Sequence, residues 1–435
     1  MRLLLTFCLT LLLTAPLDAS AQKTPGRQGT FALTNARLVT VTSDTISGGT
    51  LVIRADTIAA LGTNVAVPDD AEVIDCTGLT VYPGLIDSGT RLGLVEVGSL
   101  SETRDYNEIG DLTAHMDALT AVNPNSVNIP VTRVNGITTV LAEPSNGLLP
   151  GAASMIDLHG YTPDQMHRSF TGQVLNFPST GRRGWWDDRS PEEIEKQAKK
   201  AIKKLSDVWD RAELYARIDS AAAAGDRRAP TYVPSMEALL PVVRGEQALI
   251  IKASKASDIT KALEWAAARG LTDQVILSGA QEGWRVADAI AAAGVPVLVG
   301  PVLSVPTRPS DRYDKAYANP GLLAEAGVQL AIRTGGAENV RNLPYNAGFA
   351  AAYGLGKAAA LKAVTIAPAR IFGIADAVGS LEVGKVANLF VTNGDPFETT
   401  TQVQHLFIEG YKLPLESRHT KLYDEFLNRN PGVTE

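Results

Sequence analysis

Three cations stand where this chain could do chemistry. Arg91 follows the apolar run Tyr82-Pro83-Gly84-Leu85-Ile86-Asp87. Lys252 ends Ala248-Leu249-Ile250-Ile251-Lys252, and Arg333 ends Val328-Gln329-Leu330-Ala331-Ile332-Arg333, with Thr334 next. If these strand ends surround one pocket, Arg91, Lys252, Arg333 and Thr334 are candidate binding residues for a carboxylate or phosphate. The competing reading is a structural ion-pair network, for which Glu96, Asp105, Glu143, Glu282 and Glu338 could supply the counter-charge.

Other routes to hydrolysis find less support. The chain has five histidines, His115, His159, His167, His405 and His419, with no H-x-x-x-H, C-x-x-C or D-x-D pairing among them. A zinc site needs several convergent ligands. His115 and His159 are the two that could approach the mouth of such a pocket, and a hydrogen-bonded or exposed role competes with ligation for each. Ser88, Ser278 and Thr334 have no histidine in register to activate them, and there is no G-x-S-x-G turn.

The elements that must position these residues follow two rhythms. From Phe31 to Val81, short strands (Ala32-Leu33, Arg37 to Val41, Thr50 to Ile53, Thr57 to Leu61) alternate with turns, as in a small β-sandwich. A matching half lies at Gly384 to Val391 and Val403 to Ile408. Between them, apolar strands alternate with helices predicted at 256–270, 281–294, 320–326 and 346–354. Near-continuous apolar strands suit a sheet buried on both faces. No glycine-rich dinucleotide loop follows the first strand, so a (β/α)8 TIM barrel is expected rather than an open doubly wound sheet. Pro191 to Ala224 reads as a helix with Ile194, Ala198, Ile202, Leu205 and Trp209 on one stripe. Its lysine run reads as a solvated face. The loop Gly181 to Arg189, rich in arginine and tryptophan, reads as a surface loop or as a lid or partner contact.

Met1-Arg2, the apolar run Leu3 to Leu13 and Ala19-Ser20-Ala21 form an export signal with cleavage expected after Ala21. No later segment is apolar enough to span a membrane, so a soluble periplasmic or secreted product is expected. Cys76 then stands alone, which excludes an internal disulfide. With 40 basic and 47 acidic residues, nucleic acid and anionic membrane are poor partners.

Val81 to Asp87, Asn135-Gly136-Ile137-Thr138-Thr139-Val140, Ala367-Pro368-Ala369-Arg370-Ile371-Phe372-Gly373 and Gly379 to Leu389 resemble the amidohydrolase superfamily, nearest its imidazolonepropionase-like branch. The resemblance implies a barrel at 83–378, a small β domain from 29–82 and 379–415, and a tail at 416–435. It also implies hydrolysis of non-peptide C–N bonds, of cyclic amide or amidine type, with zinc or another divalent metal. The metal ligands of the family would fall at Gly89, Arg91, Lys252, Gly279 and Gly335. Glycine offers no ligand atom and a guanidinium no lone pair, while a lysine amine binds metal only when deprotonated or carboxylated. No metal is therefore expected at those positions. Three readings follow: a hydrolase with a rearranged site, a non-catalytic descendant binding a small anionic ligand or a partner protein, and an assembly with itself or with a ligand-complete paralogue.

Overall fold

The computed structural model describes residues 26–181, 187–225 and 228–429. The export segment, residues 182–186 of the arginine- and tryptophan-rich loop, and the end of the tail lie outside them. No helix among the described residues is long and apolar enough to cross a membrane.

Five strands open the chain: β1 (Phe31–Leu38), β2 (Ile46–Arg54), β3 (Thr57–Gly62), β4 (Glu72–Asp75) and β5 (Thr80–Pro83). The expected pair of short strands at 32–33 and 37–41 is one strand, β1. Its pairing with β2 shifts register between Leu33 and Ala36, where Asn35 takes a positive φ of 57°. Such a bulge absorbs the irregularity that the sequence shows as a break. After the barrel come β14 (Leu389–Thr392), β15 (Val403–Ile408) and β16 (Tyr411–Leu413). β14 lies antiparallel to β5, with Val391 opposite Val81 and Leu389 opposite Pro83. The two chain ends thus share one sheet, in the order β16-β15-β14-β5-β1-β2-β3 with β4 beside β1. Phe31 from one end and Phe407 from the other meet edge-on at 5.2 Å in its core. Cys76 is free and buried there, and burial pushes its thiol up to about 11.

The barrel strands are β6 (Leu85–Thr90), β7 (Ile137–Ala142), β8 (Gly151–Asp157), β9 (His167–Asn176), β10 (Ala248–Ala253), β11 (Val275–Gly279), β12 (Val297–Val299) and β13 (Leu330–Ile332). They neighbour one another in chain order. Gly335 N–H donates to Gly89 O at 2.9 Å and Ser88 Oγ to Ile332 O at 2.6 Å, bringing the two ends of the sheet together. Ile86, Leu141, Met155, Val174, Ile250, Ile276, Leu298 and Ala331, one from each strand, belong to a single buried cluster. This is the filled interior expected of an eight-stranded barrel.

One strand departs from the repeated βα reading. β8 runs antiparallel to both β7 and β9. The linker at 143–150 carries no helix, and a parallel crossover needs about a dozen residues or more. Periodicity reports burial and is blind to strand direction. Helix limits also shift: 256–268, 287–293, 315–325 and 343–350 replace the predicted spans, and Pro320 lies inside its helix rather than at its start.

The long helix spans Pro191–Ala223, capped by Ser190 and Glu193 in a reciprocal capping box. Ile194, Ala198, Leu205 and Trp209 are buried as the stripe requires, while Ile202 is partly buried. Trp209 meets Trp265 of the helix Ala256–Ala268 edge-on at 5.3 Å. Trp209→Ala is expected to cost about 3–5 kcal/mol, read as a shift in the urea midpoint, because it empties a fully buried site between two helices.

Candidate functional site: the carboxyl end of the barrel

The barrel strand order brings the candidate residues to one end. Glu143 directly follows β7, Lys252 lies in β10, Ser278 in β11, and Arg333 follows β13. Arg333 is buried and its guanidinium pairs with Glu143 Oε1 through Nη2 and with Ser278 Oγ through Nη1. Lys252 Nζ donates to Pro144 O at 3.1 Å and lies 3.2 Å from Glu143 Oε2, an ion-pair distance without hydrogen-bond alignment. Arg91 lies over the Tyr106 ring, 4.2 Å from its centre.

One carboxylate therefore serves two cations. Of the other proposed counter-charges, Glu282 accepts from Arg308 and Thr307, and Glu96 from Asn123. Burial lowers Lys252 from its usual value to about 8, Glu143 opposing this and Arg333 and Arg91 adding to it. The ion-pair reading accounts for Arg333, whose Nη2 meets Glu143 and Nη1 meets Ser278, while its Nε is buried without a partner. Arg91 and Lys252 are left partly exposed at the mouth.

Thr334 is likewise committed inward. Its hydroxyl and its N–H at 3.2 Å both donate to Asp87, which also accepts from Gly89 N–H at 3.0 Å. Asp87 ties β6 to the segment after β13. Burial raises its pKa to about 6 despite those bonds and the nearby Arg333 charge.

The positions that the resemblance assigns to metal ligands do not fit a divalent cation. A Cβ built on Gly89 would lie 2.9 Å from Arg333 Nε and 3.1 Å from Glu143 Oε1, so the guanidinium fills the space a ligand side chain would need. Gly279 and Gly335 adopt φ of 97° and 78°, where a side chain is strained. No group of three or more His, Cys, Asp or Glu residues placed to hold a metal occurs among the described residues. The histidines do not rebuild one. His115 is exposed. His159 and His167, at the end of antiparallel β8 and the start of β9, lie at the opposite end of the barrel. His405 lies in β15, and His419 sits 3.2 Å from Arg341.

A cleft of about 600 Å³ adjoins the mouth, lined by Asn176 at the end of β9, Phe177 after it, Arg189 just before the long helix, and Lys200 and Lys204 on that helix. Phe177 N–H donates to Lys252 O at 3.1 Å, which fixes the cleft beside Lys252. The lysine run is therefore not only a solvated face. Sequence pattern missed this because lysines beside a cleft and lysines in open water share one helical spacing.

Two outcomes follow. Glu143→Gln leaves Arg333 buried without its counter-charge and should cost about 3–5 kcal/mol in urea unfolding. Asp87 has a folded pKa raised above the unfolded value near 3.8, so its contribution favours folding at low pH and is lost as pH rises from about 4 to 6. That loss amounts to up to about 3 kcal/mol by linkage. Asp87→Asn should remove this slope from stability measured across pH 4 to 7.

No match was found among curated proteins. Residues 287–413 match the model of the Amidohydrolase family. Among solved structures, an amidohydrolase from Thermotoga maritima MSB8 is 24% identical, with a TM-score of 0.76 over 88% of this chain and 99% of that one. An adenosine deaminase from Xanthomonas campestris with bound zinc is 16% identical, with a TM-score of 0.53 over 91% and 97%. A triazine hydrolase from Arthobacter aurescens is 14% identical, with a TM-score of 0.53 over 92% and 99%. These likenesses are of fold. The family match covers residues 287–413, and the likeness across the barrel and the β domain built from both chain ends is one of fold.

Proposed function

We propose that this chain is an exported, non-catalytic descendant of a metal-dependent C–N hydrolase, nearest the imidazolonepropionase-like branch, and that it binds a small carboxylate or phosphate ligand at the carboxyl end of its barrel. The observation that carries the reading is Arg333, whose guanidinium packs against Gly89 and pairs with Glu143 where the family would place a metal. A hydrolase of this superfamily uses its metal to acidify water and polarise a carbonyl, and these residues offer no ligand set for that. Fold descent alone does not supply an activity.

Charge supports the ligand class. Arg333 and Lys252 share Glu143, and Arg91 adds a third cation that stacks on Tyr106. The adjoining cleft falls in the usual range for small-molecule sites, and Lys200 lies along it. Arg91 and Lys252 are the side chains placed to meet an anion. Arg333 and Thr334 act behind them, as supports.

Metal analysis of the purified protein is expected to find less than stoichiometric zinc, manganese or iron. One equivalent of metal, lost in Lys252→Ala, would overturn the reading. Titration with inorganic phosphate or succinate should show binding that weakens by about 1–3 kcal/mol in Arg91→Ala and in Lys252→Ala. Affinity should fall as pH rises through about 8, because the Lys252 amine then loses the charge that attracts the anion. Export is tested by N-terminal sequencing, which should begin at Gln22.

A further inference from the structure

The reversal of β8 creates a second polar cavity, at the end of the barrel opposite the mouth. The helix Asn128–Arg133 leads into the start of β7, and β8 ends beside that start, with Asp157 opposite Thr139. Between them lies a cavity of about 180 Å³, whose lining includes Ser126, Ile129, Arg133, Leu158, His159 and Met166.

Its chemistry is unusual for a structural void. Arg133 is 6% exposed, and among the described residues its one side-chain hydrogen bond is from Nη1 to Leu158 O at 3.1 Å. Nε is buried without a partner, and no carboxylate of the described residues forms an ion pair with it. Burial lowers its pKa to about 10, with no opposing charge to restore it. His159 is also 6% exposed and its Nδ1 is buried and unpartnered, while its ring rests on Tyr411 at 4.6 Å. Asp157 does not serve either group. Its oxygens accept from Thr139, from Asn388 at 3.0 Å and from Arg168. A buried guanidinium without a counter-charge is costly, and native proteins pair such groups or give them a ligand.

The geometry points to a small-oxyanion site here, in which the Arg133 guanidinium and the neutral His159 ring hold a carboxylate or phosphate. Ser126 contributes a third polar group: it is 1% exposed, and its Oγ accepts from Asn128 N–H at 3.3 Å, which leaves its own O–H free to donate. Ile129, Leu158 and Met166 suit a short apolar body behind the charged group. Gly160 closes the wall, because a Cβ there would lie 2.7 Å from Met166 Cγ. The site shares no residue with the mouth, so it stands or falls independently of the function proposed above.

The test uses the full mature chain carrying Arg91→Ala and Lys252→Ala, so that the mouth is silenced. Inorganic phosphate, acetate and succinate are titrated by calorimetry and by thermal shift, which separates a phosphate site from a carboxylate one. At least one anion is expected to bind and raise Tm. Adding Arg133→Met should weaken that binding about tenfold to a hundredfold. The same change should leave the anion-free Tm unchanged or higher, since it removes an unpaired buried charge while keeping the side chain's length. His159→Phe, which keeps the ring on Tyr411, should weaken binding less. Absence of any anion response before Arg133 is changed, or a response that Arg133→Met leaves intact, would overturn the proposal. A lowered anion-free Tm in Arg133→Met with unaltered anion affinity would assign Arg133 to the Leu158 bond alone.

Discussion

The buried pair between Arg333 and Glu143 is the constraint around which the carboxyl end of the barrel is arranged. Glu143 follows the second barrel strand and Arg333 the eighth, and Ser278 of the sixth completes the guanidinium's contacts. Lys252 of the fifth strand shares the same carboxylate. A barrel mouth with a metal is held by a cation that draws several ligands inward. Here a protein cation does the equivalent work, and it can do so only because position 89 is glycine. Any larger side chain there would meet the guanidinium at under van der Waals distance.

Such a pair is poor evidence of net stabilisation, because desolvating both charges offsets most of their attraction. Its consequence is specificity of arrangement. Glu143 serves two cations, and burial, with Arg333 and Arg91 nearby, holds the Lys252 amine down near 8 against the pull of Glu143. Positive charge left over from a structural device is thereby presented beside a cleft. The mouth can be read as scaffold and as binding surface without contradiction, since different side chains carry each role.

The second departure from a regular barrel has a comparable logic. With β8 reversed, its end lies at the amino face, where Arg133, His159 and the Tyr411 strand meet. A βα crossover in that place would have covered the face with a helix. The short linkers on either side of β8 instead leave a polar cavity between the helix Asn128–Arg133 and the end of β8. Both unusual features of the molecule thus come from local substitutions in a repeated plan: a glycine and an arginine at one end, a hairpin at the other.

Much of this was legible in the residues. The run from Val81 to Asp87, the apolar strands and the stripe on the long helix determined the barrel, because burial on both faces requires continuous apolar strands. The glycines and the arginine at the presumed ligand positions offer no donor atoms, and that alone set the expectation of no metal there. What the sequence could not decide was pairing. Glu96, Asp105, Glu143, Glu282 and Glu338 looked equivalent as counter-charges, yet Glu282 turns to Arg308 while Glu143 meets both Arg333 and Lys252. His159 looked as able to reach the mouth as His115, until strand direction placed it at the far end. Spacing along a chain fixes which residues share a face or a strand. Which charge meets which, across residues nearly two hundred positions apart, depends on strand order, direction and closure, and only the tertiary structure supplies those.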